Sequence, residues 1–214
     1  MDNANRREYE DCGVSLYFDK QNYWHERFAS ESHFEWLIPS DRFMATLERH
    51  LERLPNFAKI LHLGSGTSDL QNHIRARGFE HITNVDYEPL AIERGRQLEQ
   101  DAFGDVKLTY VVGDVTQLDL QLAGEVYDLV IDKSTADAVS CAGGAALLRM
   151  VECIKRCLAD GGVWISLSYS ALRFSLERLP LAVEVVEKIP TAKFKVTDPD
   201  IYHWCYLLRE KRHS

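Results

Sequence analysis

The chain has 214 residues, and its 25 Lys and Arg against 33 Asp and Glu give a formal charge of −8. This acidic balance excludes a basic nucleic-acid-binding module as the default, and a hydrophobic content of 45% with 27% charged residues excludes disorder. No apolar run approaches the roughly 18 residues that suggest a membrane span. We therefore expect a soluble protein of the cytoplasm, with no nucleic-acid or membrane partner.

The cysteines of the chain are Cys12, Cys141, Cys153, Cys157 and Cys205, and they contain no CxxC pair. An odd number of cysteines without such a pair is typical of a reducing compartment rather than of a disulfide framework. No further His or Cys lies near Cys153 and Cys157 at metal-ligand spacing. These two are expected to be core thiols, and no metal site is predicted.

The sequence contains no repeat and no linker, so we predict an N-terminal extension over residues 1–39 and a single domain over residues 40–214. The domain opens with an amphipathic helix from Asp41 to Leu54, which Pro55 terminates. Short apolar runs then alternate with helical segments. The predicted strands are Ile60–Leu63, Ile82–Val85, Leu108–Val112, Tyr127–Ile131 and Val163–Leu167, and the predicted helices are Asp69–Arg77, Pro89–Gln100 and Ala145–Leu158.

Strands and helices that alternate at this spacing predict a parallel sheet covered by helices on both faces. The last part of the chain breaks this rhythm, because Val183–Ile189 and Ile201–Arg209 both have the pattern of strands with no helix between them. The predicted fold is therefore α/β and doubly wound. Its sheet is seven-stranded, mostly parallel and Rossmann-like, with an antiparallel C-terminal hairpin at one edge.

Ligands of open parallel sheets bind beyond the carboxyl ends of the strands, so the residues that follow each apolar run are the candidate site. Gly64 and Gly66 lie in a Gly-x-Gly turn after the first strand, and Asp86 follows 22 residues after Gly64. This interval is typical of an acidic residue that accepts hydrogen bonds from ribose hydroxyls. The alternative is that Asp86 only caps the next helix.

The position of the third glycine of a dinucleotide fingerprint is occupied by Asp69. A carboxylate there repels a diphosphate but not S-adenosylmethionine, which has no phosphate and carries an ammonium and a sulfonium. Asp114, after the third strand, can accept from an adenine amino group while Val115 packs on the ring. The pattern favours S-adenosylmethionine and disfavours a nicotinamide dehydrogenase.

These residues carry a family resemblance over nearly the whole chain. The glycine turn, Asp86, Asp114 and the terminal hairpin resemble the class I S-adenosylmethionine-dependent methyltransferases. The segments Tyr23–Phe28, Phe34–Trp36, Asp132–Ala138 and Ile165–Ser168 are similar to a narrower subgroup, the lysine methyltransferases of elongation factor 1-alpha. The signature of that subgroup reads YW-x-x-RY, (D/E)WF, LGCGNS and (D/E)KGTLDA, and the motifs occur here in the same order.

The resemblance implies S-adenosylmethionine as cofactor, S-adenosylhomocysteine as product and the extension as a lid over the cofactor. The implied cofactor-binding residues are Trp24, Arg27, Phe28, Trp36, Gly64, Gly66, Asp86, Tyr87, Asp114, Val115 and Lys133. An aromatic face beside a sulfonium gains cation–π attraction of roughly 0.5 to 2 kcal/mol, which favours the aromatic members independently. The alternative for Trp24 and Trp36 is simple packing of the extension on the sheet.

The sequence departs from the subgroup at Ser65, Thr67, Ser134 and Ala136, and the loop after Cys141 is short. Substrate contacts usually lie in such loops, so these departures concern the acceptor rather than the cofactor. The expected acceptor is a protein lysine amine, in a substrate similar to elongation factor 1-alpha. The second hypothesis is a small-molecule N-, O- or S-methyltransferase. A catalytically silent binding subunit is the third hypothesis.

Methyl transfer is an in-line displacement, so the protein chiefly aligns the reactants and excludes water. Asp132 is the catalytic candidate, because it lies at the end of the fourth strand, where it can orient or deprotonate an amine. An interpretation of equal weight is that Asp132 caps the helix that follows. Asp137 is a weaker candidate. Tyr169, Phe174, His203 and Trp204 are assigned either to the acceptor side or to the core.

Overall fold

The computed structural model describes residues 17–122, 124–193 and 195–211, so Cys12 and the first part of the predicted extension lie outside the described residues. Fourteen helices and strands occur within these ranges. In chain order they are α1 (Gln21–Ser30), α2 (Ser40–Leu51), β1 (Ile60–Leu63), α3 (Leu70–Arg75), β2 (Ile82–Asp86), α4 (Pro89–Phe103), β3 (Thr109–Val112), α5 (Leu118–Gln121), β4 (Tyr127–Lys133), α6 (Thr135–Ser140), α7 (Gly144–Cys157), β5 (Leu158–Ser168), β6 (Leu181–Pro190) and β7 (Tyr202–Glu210).

The sheet has seven strands in the order β3-β2-β1-β4-β5-β7-β6. The first five strands of the chain pair in parallel, whereas β7 is antiparallel to both β5 and β6. The predicted α/β fold with its antiparallel C-terminal hairpin is confirmed. The hairpin does not simply extend the sheet, because β7 lies between β5 and β6 and leaves β6 at the edge.

Helices cover both faces of the sheet, and alternate strand residues supply two apolar clusters. Leu61 and Val130 face the cluster that contains the inner side of α7, whereas Ile60 and Ile131 face the cluster that contains α2 and α3. All four residues of β1 are buried, as expected for the central strand of a sheet covered on both faces. Cys153 and Cys157 lie in the α7 cluster and are buried, as predicted.

The boundaries of several predicted elements shift for identifiable reasons. The helix α4 begins at Pro89 as predicted, but it continues past Gln100 to Phe103, where Gly104 adopts a left-handed conformation with a φ of 77°. The strand β5 begins at Leu158 rather than Val163, because Leu158 already pairs with Tyr127 before a register shift. The helix α2 ends at Leu51, three residues before the predicted end.

The extension contains a helix, α1, which its residue pattern did not predict. No residue of α1 is buried, so the segment lacks the apolar stripe by which a core-facing helix is found in a sequence. The short helices α5 and α6 were not predicted either. Among the residues that the structure describes, no helix has the length and apolar character needed to cross a membrane.

Candidate active site

A cavity of about 530 Å³ opens at the carboxyl ends of the parallel strands, where α/β proteins bind their ligands. Its walls come from the extension, the strand ends and the helices α6 and α7. The lining residues are Phe18, Asp19, Trp24, Phe28, Trp36, Leu37, Gly64, Gly66, Asp86, Tyr87, Gly113, Asp114, Val115, Thr116, Lys133, Ser134, Thr135, Asp137, Ala138, Val139, Cys141, Ala142, Ala146, Arg149 and Tyr169. Of the predicted cofactor-binding residues, the structure brings all except Arg27 to this cavity.

The glycine turn between β1 and α3 forms the floor of the cavity. Gly64 and Gly66 have φ values of 57° and 53°, which lie in the left-handed region that favours glycine. A Cβ atom on Gly64 would also approach the Cγ2 atom of Thr135 to 2.6 Å, because α6 begins directly above the turn. The turn therefore needs glycine at Gly64 both for its backbone conformation and for its contact with Thr135.

Asp86 is buried at the end of β2 and is fixed by the backbone. Its two carboxylate oxygens accept hydrogen bonds from the backbone N–H of Gly66 and the backbone N–H of Glu88, both at 2.9 Å. Burial raises the pKa of Asp86 to about 6, and these hydrogen bonds oppose the rise. A carboxylate held in this way is oriented before any ligand binds.

Asp114 follows β3 and stabilises the loop that carries Val115. Its Oδ1 accepts from the backbone N–H and the hydroxyl of Thr116, both at 2.8 Å, and its Oδ2 accepts from the amide of Gln117 at 3.1 Å. The loop is further held by α7, since the thiol of Cys153 donates to the carbonyl of Thr116 at 3.2 Å.

Aromatic rings from the extension cover the cavity, and we call this group the aromatic lid. Its members are Phe18, Tyr23, Trp24, Phe28, Phe34 and Trp36, and neighbouring ring centroids lie between 5.1 and 5.8 Å apart. The indole of Trp24 donates to the carbonyl of Phe18 at 2.7 Å. Arg27 lies among these rings rather than in the cavity wall, with its guanidinium 4.7 Å from the ring centroids of both Phe34 and Trp36.

Two carboxylates attach the extension to the glycine turn and the sheet. Glu31 accepts from the hydroxyl of Thr67 at 2.9 Å. Glu35 accepts from the hydroxyls of Ser40 at 2.8 Å and Ser68 at 2.9 Å, and it forms an ion pair with Lys133. Lys133 also donates to a backbone carbonyl of the extension at 3.2 Å. Its ammonium group therefore holds the extension in place, although its side chain reaches the cavity wall.

One cluster in the described part of the chain has the composition of a metal site. Ligand atoms of His33, Glu35 and Asp69 all lie within 4.8 Å of one another. The Lys133 ammonium is paired with Glu35, so a metal cation would be placed next to a positive charge. This arrangement disfavours a metal at that point.

The structure does not bring Asp132 to the cavity. Its side chain is fully buried, and its oxygens accept from the indole of Trp164 at 2.8 Å and the backbone N–H of Ala136 at 3.0 Å. Burial raises the pKa of Asp132 to about 6. These contacts match the alternative interpretation of Asp132, that of a residue that caps the first turn of α6.

Asp137 and Tyr169 do reach the cavity. Asp137 accepts from the Nε of Arg173 at 2.7 Å and from the backbone N–H of Tyr169 at 3.1 Å. The same guanidinium lies 5.2 Å from the Tyr169 ring centroid. Phe174 packs in the core beside Trp164, and neither His203 nor Trp204 is among the residues that line the cavity.

Comparison with known proteins identifies the family. A family model described as a methyltransferase domain matches residues 56–209. The chain belongs to this methyltransferase family. Methyltransferase srdJ of Neurospora crassa is 62% identical to it over 197 residues, which cover 91% of this chain and 84% of that protein.

More distant relatives narrow the description of the methyltransferase. Human EEF1A lysine methyltransferase 2 is 29% identical over 159 residues, which cover 72% of this chain and 65% of that protein. The chain therefore matches slightly less than two thirds of that relative's length. The N-methyltransferase NodS from Bradyrhizobium japonicum, solved in complex with S-adenosyl-L-homocysteine, has a TM-score of 0.61 at 16% identity and covers 87% of this chain and 99% of its own. The chain is thus an S-adenosylmethionine-dependent methyltransferase with the class I fold.

The cavity of the methyltransferase has the chemistry that this cofactor needs. It combines aromatic rings, which attract a sulfonium, with the buried carboxylate of Asp86, which can accept from ribose hydroxyls. The glycine turn leaves space at Gly66, where the nearest atom to a Cβ would be the Phe28 Cζ at 3.7 Å. The residues present therefore fit S-adenosylmethionine.

Several residues of the cavity wall were missed by sequence reasoning. Phe18 and Asp19 precede the recognisable Tyr23–Phe28 motif, and Arg149 lies on α7 far along the chain from every motif. They share no sequence pattern, and what they have in common is that the fold brings each of them to the cavity. Only the strand order and the course of the extension reveal this shared location.

Proposed function

We propose that this methyltransferase transfers a methyl group from S-adenosylmethionine to a lysine amine of a protein similar to elongation factor 1-alpha. The observation that carries the proposal is the aromatic lid, because five of its six rings come from the two extension motifs of the elongation factor 1-alpha subgroup and the lid covers the cavity. The relationship to human EEF1A lysine methyltransferase 2 supports it. A cytoplasmic location is part of the same proposal.

In this proposal the cofactor lies between the glycine turn and the aromatic lid. Asp86 accepts from the ribose, and Asp114 and Val115 hold the adenine beside Tyr87. Trp24, Phe28 and Trp36 face the sulfonium, which gains cation–π attraction of roughly 0.5 to 2 kcal/mol. Gly64 and Gly66 let the backbone come close, and Arg27 and Lys133 act on the cofactor through the lid that they hold.

The cofactor supplies the methyl group and its own leaving group, so the chain has to position the acceptor and exclude water. A lysine amine with an ordinary pKa of about 10.4 is neutral in only about one molecule in 2,500 at pH 7, a handicap of about 4.6 kcal/mol. The apolar and aromatic walls of the cavity lower that handicap by desolvating the ammonium form. Asp132 supports this arrangement by holding α6 in place, and it takes no proton in the proposed mechanism.

A small-molecule acceptor is the second candidate. The short segment after α6 forms part of the cavity wall through Cys141 and Ala142. A short loop at this point supplies few contacts for a protein acceptor. The 62% identical relative is named only as a methyltransferase. Ser134, which departs from the subgroup signature, also lines the cavity.

The test is a methyl-transfer assay with tritiated S-adenosylmethionine. Purified elongation factor 1-alpha, a whole-cell protein extract and a small-molecule extract are offered separately, with Asp86→Ala as the binding-defective control. Label in elongation factor 1-alpha that mass spectrometry assigns to a lysine supports the proposal. Label confined to the small-molecule extract favours the second candidate, and absence of cofactor binding in calorimetry contradicts both.

A further inference from the structure

Asp19 is a cavity residue that neither the sequence motifs nor the comparisons assign. It lies in the turn immediately before α1, and the position of this turn is fixed by two contacts. The Trp24 indole donates to the carbonyl of Phe18 at 2.7 Å, and the amide of Gln21 donates to the carbonyl of Tyr87 at 2.8 Å. These two contacts hold the turn against α1 and against Tyr87, and they keep Asp19 in the cavity wall.

The two oxygens of the Asp19 carboxylate differ in their surroundings. Oδ2 pairs with the ammonium of Lys20 at 2.6 Å. Oδ1 is buried and receives no hydrogen bond from residues 17–122, 124–193 and 195–211. Only 11% of the Asp19 side chain is exposed. A buried carboxylate oxygen without a donor is costly, so a group that occupies the cavity is the natural source of one.

The neighbours of Asp19 identify the end of the cavity at which that donor lies. Asp19 is close enough to Tyr87 for its charge, after burial and Asp86, to raise the pKa of the Tyr87 phenol. Tyr87 directly follows Asp86, the proposed ribose acceptor. Each oxygen of Asp86 already accepts one backbone N–H, whereas a ribose offers two hydroxyl donors.

We propose that Asp19 is a second ribose acceptor, which receives a hydrogen bond on Oδ1 from a hydroxyl of the bound cofactor. This inference rests on the proposed placement of the cofactor in the cavity. Because Asp19 belongs to the extension and Asp86 to the sheet, the ribose then joins the two parts of the protein, and cofactor binding stabilises the lid in its position over the site.

The test is calorimetric titration of Asp19→Asn with S-adenosylmethionine, S-adenosylhomocysteine and 5′-methylthioadenosine. These ligands share the ribose, but only the first has a sulfonium, and the last lacks the amino-acid part. The expected result is a rise in Kd of about tenfold for all three, because the shared group is the one that Asp19 binds. Asp41→Asn is the matched control, since it removes the same charge from an exposed position and should leave all three Kd values unchanged.

A loss confined to the two ligands with an amino-acid part would assign Asp19 to the ammonium group and overturn the inference, and so would unchanged binding of all three. The ligand-free melting temperature of Asp19→Asn is expected to be no lower than that of the wild type, because the substitution replaces a carboxylate whose buried oxygen has no donor among the described residues. If Asp19→Asn fails to fold, Asp19→Ser serves as the second variant. Failure of the wild type to bind S-adenosylmethionine would contradict the proposed function itself, whereas binding that depends on Asp86 and not on Asp19 contradicts only this inference.

Discussion

Asp86 shows how a single side chain can be oriented before its ligand arrives, since two backbone N–H groups hold its carboxylate at the cavity. Replacement by Ala removes charge-assisted hydrogen bonds worth about 1.5 to 3 kcal/mol to the ribose. We expect Asp86→Ala to raise the Kd for S-adenosylmethionine by roughly 10- to 150-fold in calorimetry. Circular dichroism serves as the control for folding, and an unchanged Kd in a folded variant would contradict the placement of the ribose.

The same residue gives the affinity a pH dependence. Burial raises the pKa of Asp86 to about 6, and the ionised carboxylate is the better acceptor. Cofactor affinity should therefore fall as the pH decreases from 7 to about 5.5, and calorimetry should show a flat profile for Asp86→Asn. An equally steep profile in the variant would assign the dependence to another group.

The effect on stability has the opposite sign. The folded-state pKa of Asp86 lies above the ordinary value of 3.8, so the folded protein binds the proton more tightly than the unfolded chain. The unfolding free energy of the ligand-free wild type, relative to Asp86→Asn, should decrease as the pH rises from about 4 to about 6. Urea unfolding at pH 4.5 and pH 7 measures this difference, and a constant difference would contradict the raised pKa.

The sequence alone was sufficient to locate those site residues whose pattern involves only neighbouring parts of the chain. A glycine turn after a strand, and an acid at the end of the next strand, place Gly64, Gly66 and Asp86 at one sheet edge by chain geometry alone. The surroundings of Asp132 and Lys133 could not be predicted, because their partners Trp164 and Glu35 are far away in the sequence. An acid at a strand end has the same local pattern whether it faces the cavity or the core.

The glycine turn packs against α6 at Gly64 and not at Gly66, so the two glycines should differ in their sensitivity to substitution. Gly64→Ala and Gly66→Ala both force a residue with a side chain into the left-handed region, which costs about 1 to 2 kcal/mol. Only Gly64→Ala also brings a Cβ into contact with Thr135, whose hydroxyl donates to the Leu63 carbonyl at 2.8 Å. Urea unfolding should show a greater loss of stability for Gly64→Ala, and equal losses would rule out the packing argument.

The ion pair between Glu35 and Lys133 attaches the extension to the sheet. The Glu35 and Lys133 side chains are 14% and 4% exposed, so removal of either partner leaves a buried, unpaired charge at a cost of about 3 to 5 kcal/mol. The double variant Glu35→Gln/Lys133→Met should lose less stability than the two single variants together. Urea unfolding of the four proteins measures this coupling.

An exposed pair provides the control for that cycle. Lys59 and Glu125 are about half exposed, so Glu125→Gln should leave the unfolding free energy nearly unchanged. Strict additivity of the Glu35 and Lys133 substitutions would show that the two side chains do not act as a pair.

Strand and helix positions were predictable because buried strands and amphipathic helices leave a periodic pattern. The helix α1 leaves no such pattern, since its aromatic residues contact other rings of the lid rather than the main core. The position of β7 between β5 and β6 was also not predictable. Its residues show that a strand forms but do not specify its neighbours.

For the molecule as a whole, cofactor binding should appear as a gain in stability. A ligand that binds only the folded state at about 100 times its Kd adds about 2.7 kcal/mol to the unfolding free energy. For a chain of this size that gain raises the melting temperature by about 5 to 11 °C. We expect differential scanning calorimetry to show this shift with S-adenosylmethionine and none with NAD, and a shift with NAD alone would contradict the cofactor assignment.

The sheet order has a consequence for the nascent chain on the ribosome. In the described sheet β6 pairs only with β7, and β7 also covers the free edge of β5. Because β6 is synthesised first, Leu181 and Ile189, which are buried in the folded protein, emerge before the strand that connects them to the sheet. Until β7 has been translated, both β5 and β6 have unpaired edges, and such edges expose the growing polypeptide to pairing with other chains.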